Sequence, residues 1–219
     1  MLGRNLNPET ILSSLIVFVL AITIHEFMHA FTAYRLGDPT AARLGRVTLN
    51  PVAHFDPLGF LFTLLLIIGF APIAWGKPVP VNPNNFRDPK RGMLLVAAAG
   101  PLSNVAQAAL FALPLWVAPG AFNSWSPFVQ QLIFSGVGLN ILLATFNMIP
   151  VPPLDGHKIL TGLLPNFWYG ILAPLERYGF AILLVLLFVP SFLGINIFGA
   201  IAGPLQTILG NYLIPANFS

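Results

Sequence analysis

Long apolar runs separated by short polar stretches dominate the chain. Residues 10–34 are apolar almost throughout. At 1.5 Å per helical residue this run exceeds the roughly 30 Å hydrocarbon core of a bilayer. Residues 35–57 turn polar and basic, and RVTLNP at 46–51 reads as a short strand. Residues 58–74 are apolar again but interrupted by Gly59, Gly69 and Pro72. Residues 75–91 carry Pro78, Pro80, Pro83 and Pro89, which predicts extended chain or loop. Runs 92–118, 128–149, 171–189 and 195–214 complete the candidate spans. The centre of the first of these, AAAGPLSNVAQAA, has the small residues that close helix packing in lipid requires. The expected fold is an all-α polytopic membrane protein with five to six transmembrane helices, a re-entrant hairpin and short β segments after the first helix. It forms a single integral membrane domain over 1–219, with a catalytic core over 8–160 and accessory helices over 168–215.

Composition sharpens this. Apolar residues make up 56% of the 219 positions and charged residues 8%, with a mean hydropathy of +0.81. Seventeen charged side chains are too few to cover a soluble globule of this size, since soluble domains average about 25% charged residues. An ordinary cytosolic protein, a disordered chain and a nucleic-acid binder are excluded. The bilayer is the expected environment, and the excess of ten Lys and Arg over seven Asp and Glu is a topology signal. Both loops flanking 58–74 are basic. If that segment crossed the bilayer, one basic loop would lie outside; if it dips in and returns, both stay inside. The charge rule therefore favours five spans plus a re-entrant hairpin, with the N-terminus out and the C-terminus in, over six plain helices. There is no cysteine, so disulfides, cysteine metal sites and a cysteine nucleophile are absent. No cleavable signal peptide is evident.

Ionisable residues inside an apolar run mark function by default. His25, Glu26 and His29 lie in TIHEFMHA, an H-E-x-x-H pattern within the first run. Positions i and i+4 share a helix face, so both imidazoles reach one metal ion. Glu26 is offset around the helix, where it can take a proton from an attacking water. Two histidines and a carboxylate form a usual hydrolytic zinc set, so a third ligand is needed. The candidates are His54, Asp56, Asp88, Asp155, His157 and Glu176. Asp155 is favoured because Pro150, Pro152 and Pro153 break the helix before it and Gly156 permits a tight turn after it. In the preferred topology Asp155 also lies at the same depth as His29. His54 and Asp56 either cap the 58–74 hairpin or line a water path. Asn104 is expected to make an ordinary interhelical hydrogen bond, and Asn140 either that or a contact near the site.

HEFMHAFTAYRLGDPTAARLGRVTLNPVAHFDPLG, AAAGPLSN and NMIPVPPLDG, in this order, resemble the site-2 protease family of intramembrane zinc metallopeptidases over residues 20–160. The resemblance implies a zinc ion held by His25, His29 and Asp155, with Glu26 as catalytic base. It implies substrate contact at Asn147, with Asn140 a second candidate, and a role for His54 as an accessory residue. It further implies a re-entrant element at 58–74 or 75–82, an active site nearer the cytosolic face, and a transmembrane protein as substrate. The chain looks like the compact form of the family, without PDZ or CBS domains. The competing reading is a transporter or metal-handling membrane protein using the same His/Asp cluster. Glu26 discriminates, because a carrier needs ligands but no adjacent base. Nothing in the sequence reports oligomeric state.

Overall fold

The computed structural model describes residues 7–67, 75–192, 195 and 197–218. Helix α1 (Pro8–Arg35) starts where the Asn7 side chain accepts the Thr10 N–H at 2.7 Å, with Pro8 at the first helical position and Glu9 beside it. A single turn, α2 (Thr40–Arg43), and a 3₁₀ turn (Pro51–His54) follow, then α3 (Pro57–Ile67). Helix α4 (Pro89–Val117) is capped by Asp88, whose side chain accepts from Lys90 and Arg91. The turn α5 (Pro119–Phe122) leads to α6 (Pro127–Asn147), then α7 (Asp155–Leu163), α8 (Tyr169–Phe192) and α9 (Ile197–Leu213).

Helices α1, α4 and α6 pack on one another and form the bundle. Their order along the bundle is read from contacts. Ser13 meets Ser135 near the start of both α1 and α6, at 3.4 Å. Ala33, late in α1, packs with Phe86 and Val96 at the start of α4. Thus α1 and α6 run parallel, with α4 antiparallel between them. Seams of small residues permit this closeness: Ala21 on α1 and Ala108, Ala112, Gly136 and Ala144 on α4 and α6 are buried.

Three helices, α1, α4 and α6, are long and apolar enough to cross a membrane among the described residues. A fourth span results if the pair Asn166–Leu172 and Pro174–Val189, bent by 52°, counts as one. This corrects the expected five to six. Helix α9 has only 17 residues, about 26 Å, and carries Pro204 inside it. Helix α3 has 11 residues, and the rest of the proposed hairpin, 68–74, lies outside the described residues.

The expected β segments are also corrected: no strand occurs among the described residues. In RVTLNP and beyond, side chains take the place of a ladder partner. Asn50 caps the 3₁₀ turn by accepting from Val52, and the His54 ring sits 2.9 Å from the Thr48 carbonyl. Residues 75–82 are extended but unpaired along most of their length. They form a strap fixed at both ends. Lys77 donates to the His54 carbonyl at 2.9 Å and its own carbonyl accepts from Arg46. At the other end, the Asn82 N–H donates to Asp38 at 2.8 Å.

Candidate metal centre

His25 and His29 lie on the face of α1 turned toward α4, both almost fully buried. The sequence of α4 makes room for them. Val96, Gly100 and Asn104 recur every four residues and so share one face. A methyl group on Gly100 would overlap the His29 ring and come within 2.6 Å of His25 Cε1. Pro101, next along, has no N–H and removes one backbone rung. Here the Val96 carbonyl accepts from His29 Nδ1 at 2.7 Å.

Asp155 arrives from the far side. After α6 the chain turns through Ile149–Leu154, and Asp155 opens α7. A side chain at Gly156 would overlap the Met148 and Ile149 carbonyls, so glycine lets α7 start against the end of α6. The Asp155 carboxylate lies 3.2 Å from His25 Nε2 and 3.1 Å from His29 Nε2, and the two Nε2 atoms are 3.0 Å apart. Tetrahedral ligand atoms about 2.0–2.1 Å from zinc are themselves about 3.3–3.4 Å apart, so the triangle is of the right size.

Its chemistry also fits a cation. The Gly136 carbonyl can only accept, and it takes a hydrogen bond from Asn140 Nδ2 at 2.8 Å. That orients Asn140 Oδ1 to accept from Asn104 Nδ2 at 2.9 Å, and Asn104 Oδ1 then faces His25 Nδ1 at 2.6 Å. The relay polarity is therefore fixed by a backbone group, and His25 Nδ1 is the donor. The Val96 carbonyl imposes the same tautomer on His29. In the neutral rings both Nε2 atoms keep a bare lone pair. These two lone pairs and a carboxylate oxygen face one another with no donor among them, and Asp155 Oδ2 has no hydrogen-bond partner. Burying such a set is unfavourable unless a cation sits between. Second-layer partners that fix ring orientation are a regular feature of histidine metal sites.

A cavity of about 280 Å³ opens on this cluster. Glu26 lines it beside the two histidines, and Asn147 forms part of the opposite wall. The Asn147 amide donates back to the Leu143 carbonyl at 3.0 Å. Trp75, Gly76, Val79 and Val81 of the strap close one side. Asn140 is fully buried, acts through Asn104, and does not line the cavity. His54 is buried at the end of its 3₁₀ turn and lines a neighbouring cavity instead. Of the other candidate ligands, Asp56 caps α3 and Asp88 caps α4, while His157 lies 3.4 Å from Glu176. Sequence reasoning took Asn104 for an ordinary interhelical contact. Its position one turn after Gly100, on the face that meets the histidines, was the signal available.

Three curated relatives share the name "Putative zinc metalloprotease". YwhC of Bacillus subtilis is 39% identical over 179 residues, covering 80% of each chain. Rip2 of Mycolicibacterium smegmatis is 32% identical over 178 residues, 80% of this chain and 66% of its own. MJ0611 of Methanocaldococcus jannaschii is 32% identical over 173 residues, 75% of this chain and 81% of its own. No family model matches the chain. No solved structure matches it. A buried His/His/Asp cluster beside a glutamate, in a chain this similar to proteins so named, leaves no reason to keep a carrier reading: the chain belongs to this family of zinc metalloproteases.

Proposed function

We propose that the chain is an intramembrane endopeptidase of the site-2 protease type, holding one zinc ion at His25, His29 and Asp155 and cleaving transmembrane segments of other membrane proteins. The observation that carries this reading is the donor-free cluster of three ligand atoms within bundle helices that are themselves long enough to span lipid.

Zinc, when bound, supplies Lewis-acid polarisation of oxygen. The protein's own groups do the rest. Glu26, one residue from the first ligand and facing the same cavity, accepts the proton of the attacking water and returns it to the leaving amine. Asn104 and the Val96 carbonyl hold the rings. Asn147 offers its amide to the substrate near the scissile bond. The substrate must be unwound before attack, because a lipid-spanning helix has every backbone group internally paired. The strap supports this step. Pro78 and Pro80 have no N–H, and among the described residues the N–H groups of Val79 and Val81 have no protein partner. Both valines line the catalytic cavity, so an unwound segment can add to the strap through them.

The side of the membrane follows from charge. Arg35, Arg43, Arg46, Lys77, Arg87, Lys90, Arg91 and Lys158 lie on the elements at the site's end of the bundle. The opposite connection, 118–126, carries no charge. The positive-inside rule then supports a cell-membrane protein with the site nearer the cytoplasm. Glu26→Gln tests the reading: zinc content should match wild type while cleavage of a transmembrane substrate falls by about 10²–10⁴-fold, the usual worth of a general base. Normal cleavage by that variant would refute it.

A further inference from the structure

A second cavity, of about 320 Å³, lies against the first. Ile22, Trp75 and Gly76 line both. Its wall is mostly apolar, yet two buried polar atoms on lining residues have no partner: the Thr23 hydroxyl and His54 Nδ1. Thr23 is 4% exposed and His54 1%. The His54 tautomer can be assigned as it was for the metal ligands. Nε2 faces the Thr48 carbonyl at 2.9 Å, an acceptor, so Nε2 carries the hydrogen. Nδ1 is then a bare acceptor, and a buried acceptor left unpaired costs about 1–3 kcal/mol. Asp56, half-buried, also lines this cavity, and one of its carboxylate oxygens is taken by the Gly59 N–H at 2.6 Å. The cavity thus holds an acceptor, a hydroxyl and a carboxylate, enough for the two to four partners a buried water needs.

We propose that this cavity is the water store of the enzyme, in which Thr23, His54 and Asp56 hold water that passes by Gly76 to Glu26. Val19, Ile22, Thr23 and Glu26 follow the i, i+3, i+4, i+7 pattern of one helix face, so the path runs along a single stripe of α1. Gly76 is the point of closest approach: a methyl there would meet Ile22 Cγ1 at 2.8 Å and Glu26 Cγ at 3.5 Å. Each hydrolysed peptide bond consumes one water, and lipid supplies none. The role assigned to the stored water rests on the hydrolase reading above, but the hydration itself can be tested without any cleavage.

The chain has no cysteine, so single-cysteine reporters are clean. Thr23→Cys and, separately, Val19→Cys are placed in phosphatidylcholine vesicles and treated with a charged methanethiosulfonate, which reacts with thiolate in water. Leu20→Cys, on the same helix but 47% exposed toward lipid, is the comparison. Zinc content equal to wild type certifies each fold. Labelling of Thr23→Cys and Val19→Cys at least 100-fold faster than Leu20→Cys is expected, slowed at least tenfold when His54→Phe is added. Rates at both cavity positions no faster than at Leu20→Cys would mean that lipid fills the cavity and would overturn the proposal; labelling insensitive to His54→Phe would remove His54 from it. A labelled cavity in a chain that cuts nothing would refute the hydrolase and leave the hydration standing.

Discussion

Replacing Asn104 by alanine isolates the support of one metal ligand. The side chain is fully buried and sits at the middle of a relay from the Gly136 carbonyl to the His25 ring. Its loss leaves His25 Nδ1 without its 2.6 Å acceptor and Asn140 Oδ1 without its donor. Removal of such a second-layer partner typically weakens metal binding about 10–100-fold. That range is about 1.4–2.7 kcal/mol. The upper end is a ceiling here, because His29 keeps its own partner: the Val96 carbonyl is main chain and no side-chain change removes it. Asn140→Ala acts one step further away and removes one neutral hydrogen bond, about 1 kcal/mol, or roughly fivefold. Titration of zinc between the purified protein and a chromophoric chelator reads these affinities, with helical circular dichroism as a check on folding. The expected order is wild type, then Asn140→Ala, then Asn104→Ala. Zinc affinity of folded Asn104→Ala within twofold of wild type would refute the relay.

Three further outcomes follow from the same contacts. Gly100→Ala should abolish stoichiometric zinc binding, since the added methyl takes the space of the His29 ring; metal analysis showing one zinc per chain would contradict the packing. Burial opposes ionisation of Asp38, but hydrogen bonds from Thr40, Asn85 and the Asn82 backbone outweigh it and hold its carboxyl below the usual carboxylate range. A depressed value stabilises above the ordinary carboxylate pKa of about 4 and is lost as pH falls through the lower folded value. Asp38→Asn should therefore lower Tm at pH 7 and have little effect near pH 2; an equal deficit at both would count against the latch. Val79→Pro removes one free N–H of the strap, and it should slow cleavage of a helical substrate more than of an extended peptide. Equal slowing would argue against strand addition.

The ligand set was legible because its spacing is local. His25 and His29 stand four apart on one helix, and Asp155 follows a run of prolines that no helix tolerates. Asn104 was half legible: the face it shares with Gly100 is written in the sequence, but its partner lies 79 residues away and is set by packing. The Val96 carbonyl was not legible at all, because every residue has one. RVTLNP misled for a physical reason. Alternating β-branched and polar residues suit a strand only when a neighbour offers a ladder, and here Asn50 and the His54 ring satisfy the backbone instead. Counting apolar runs overstated the spans because hydropathy does not see the 52° bend near Pro174 or the shortness of α9.

The central claim is that three side chains from α1 and α7 converge on a single ion. Metal analysis of purified wild type beside His25→Ala and Asp155→Ala addresses it directly. One zinc per chain in wild type is expected, with the metal lost from both variants while their helical content persists. Stoichiometric zinc retained at unchanged affinity in Asp155→Ala would contradict the account.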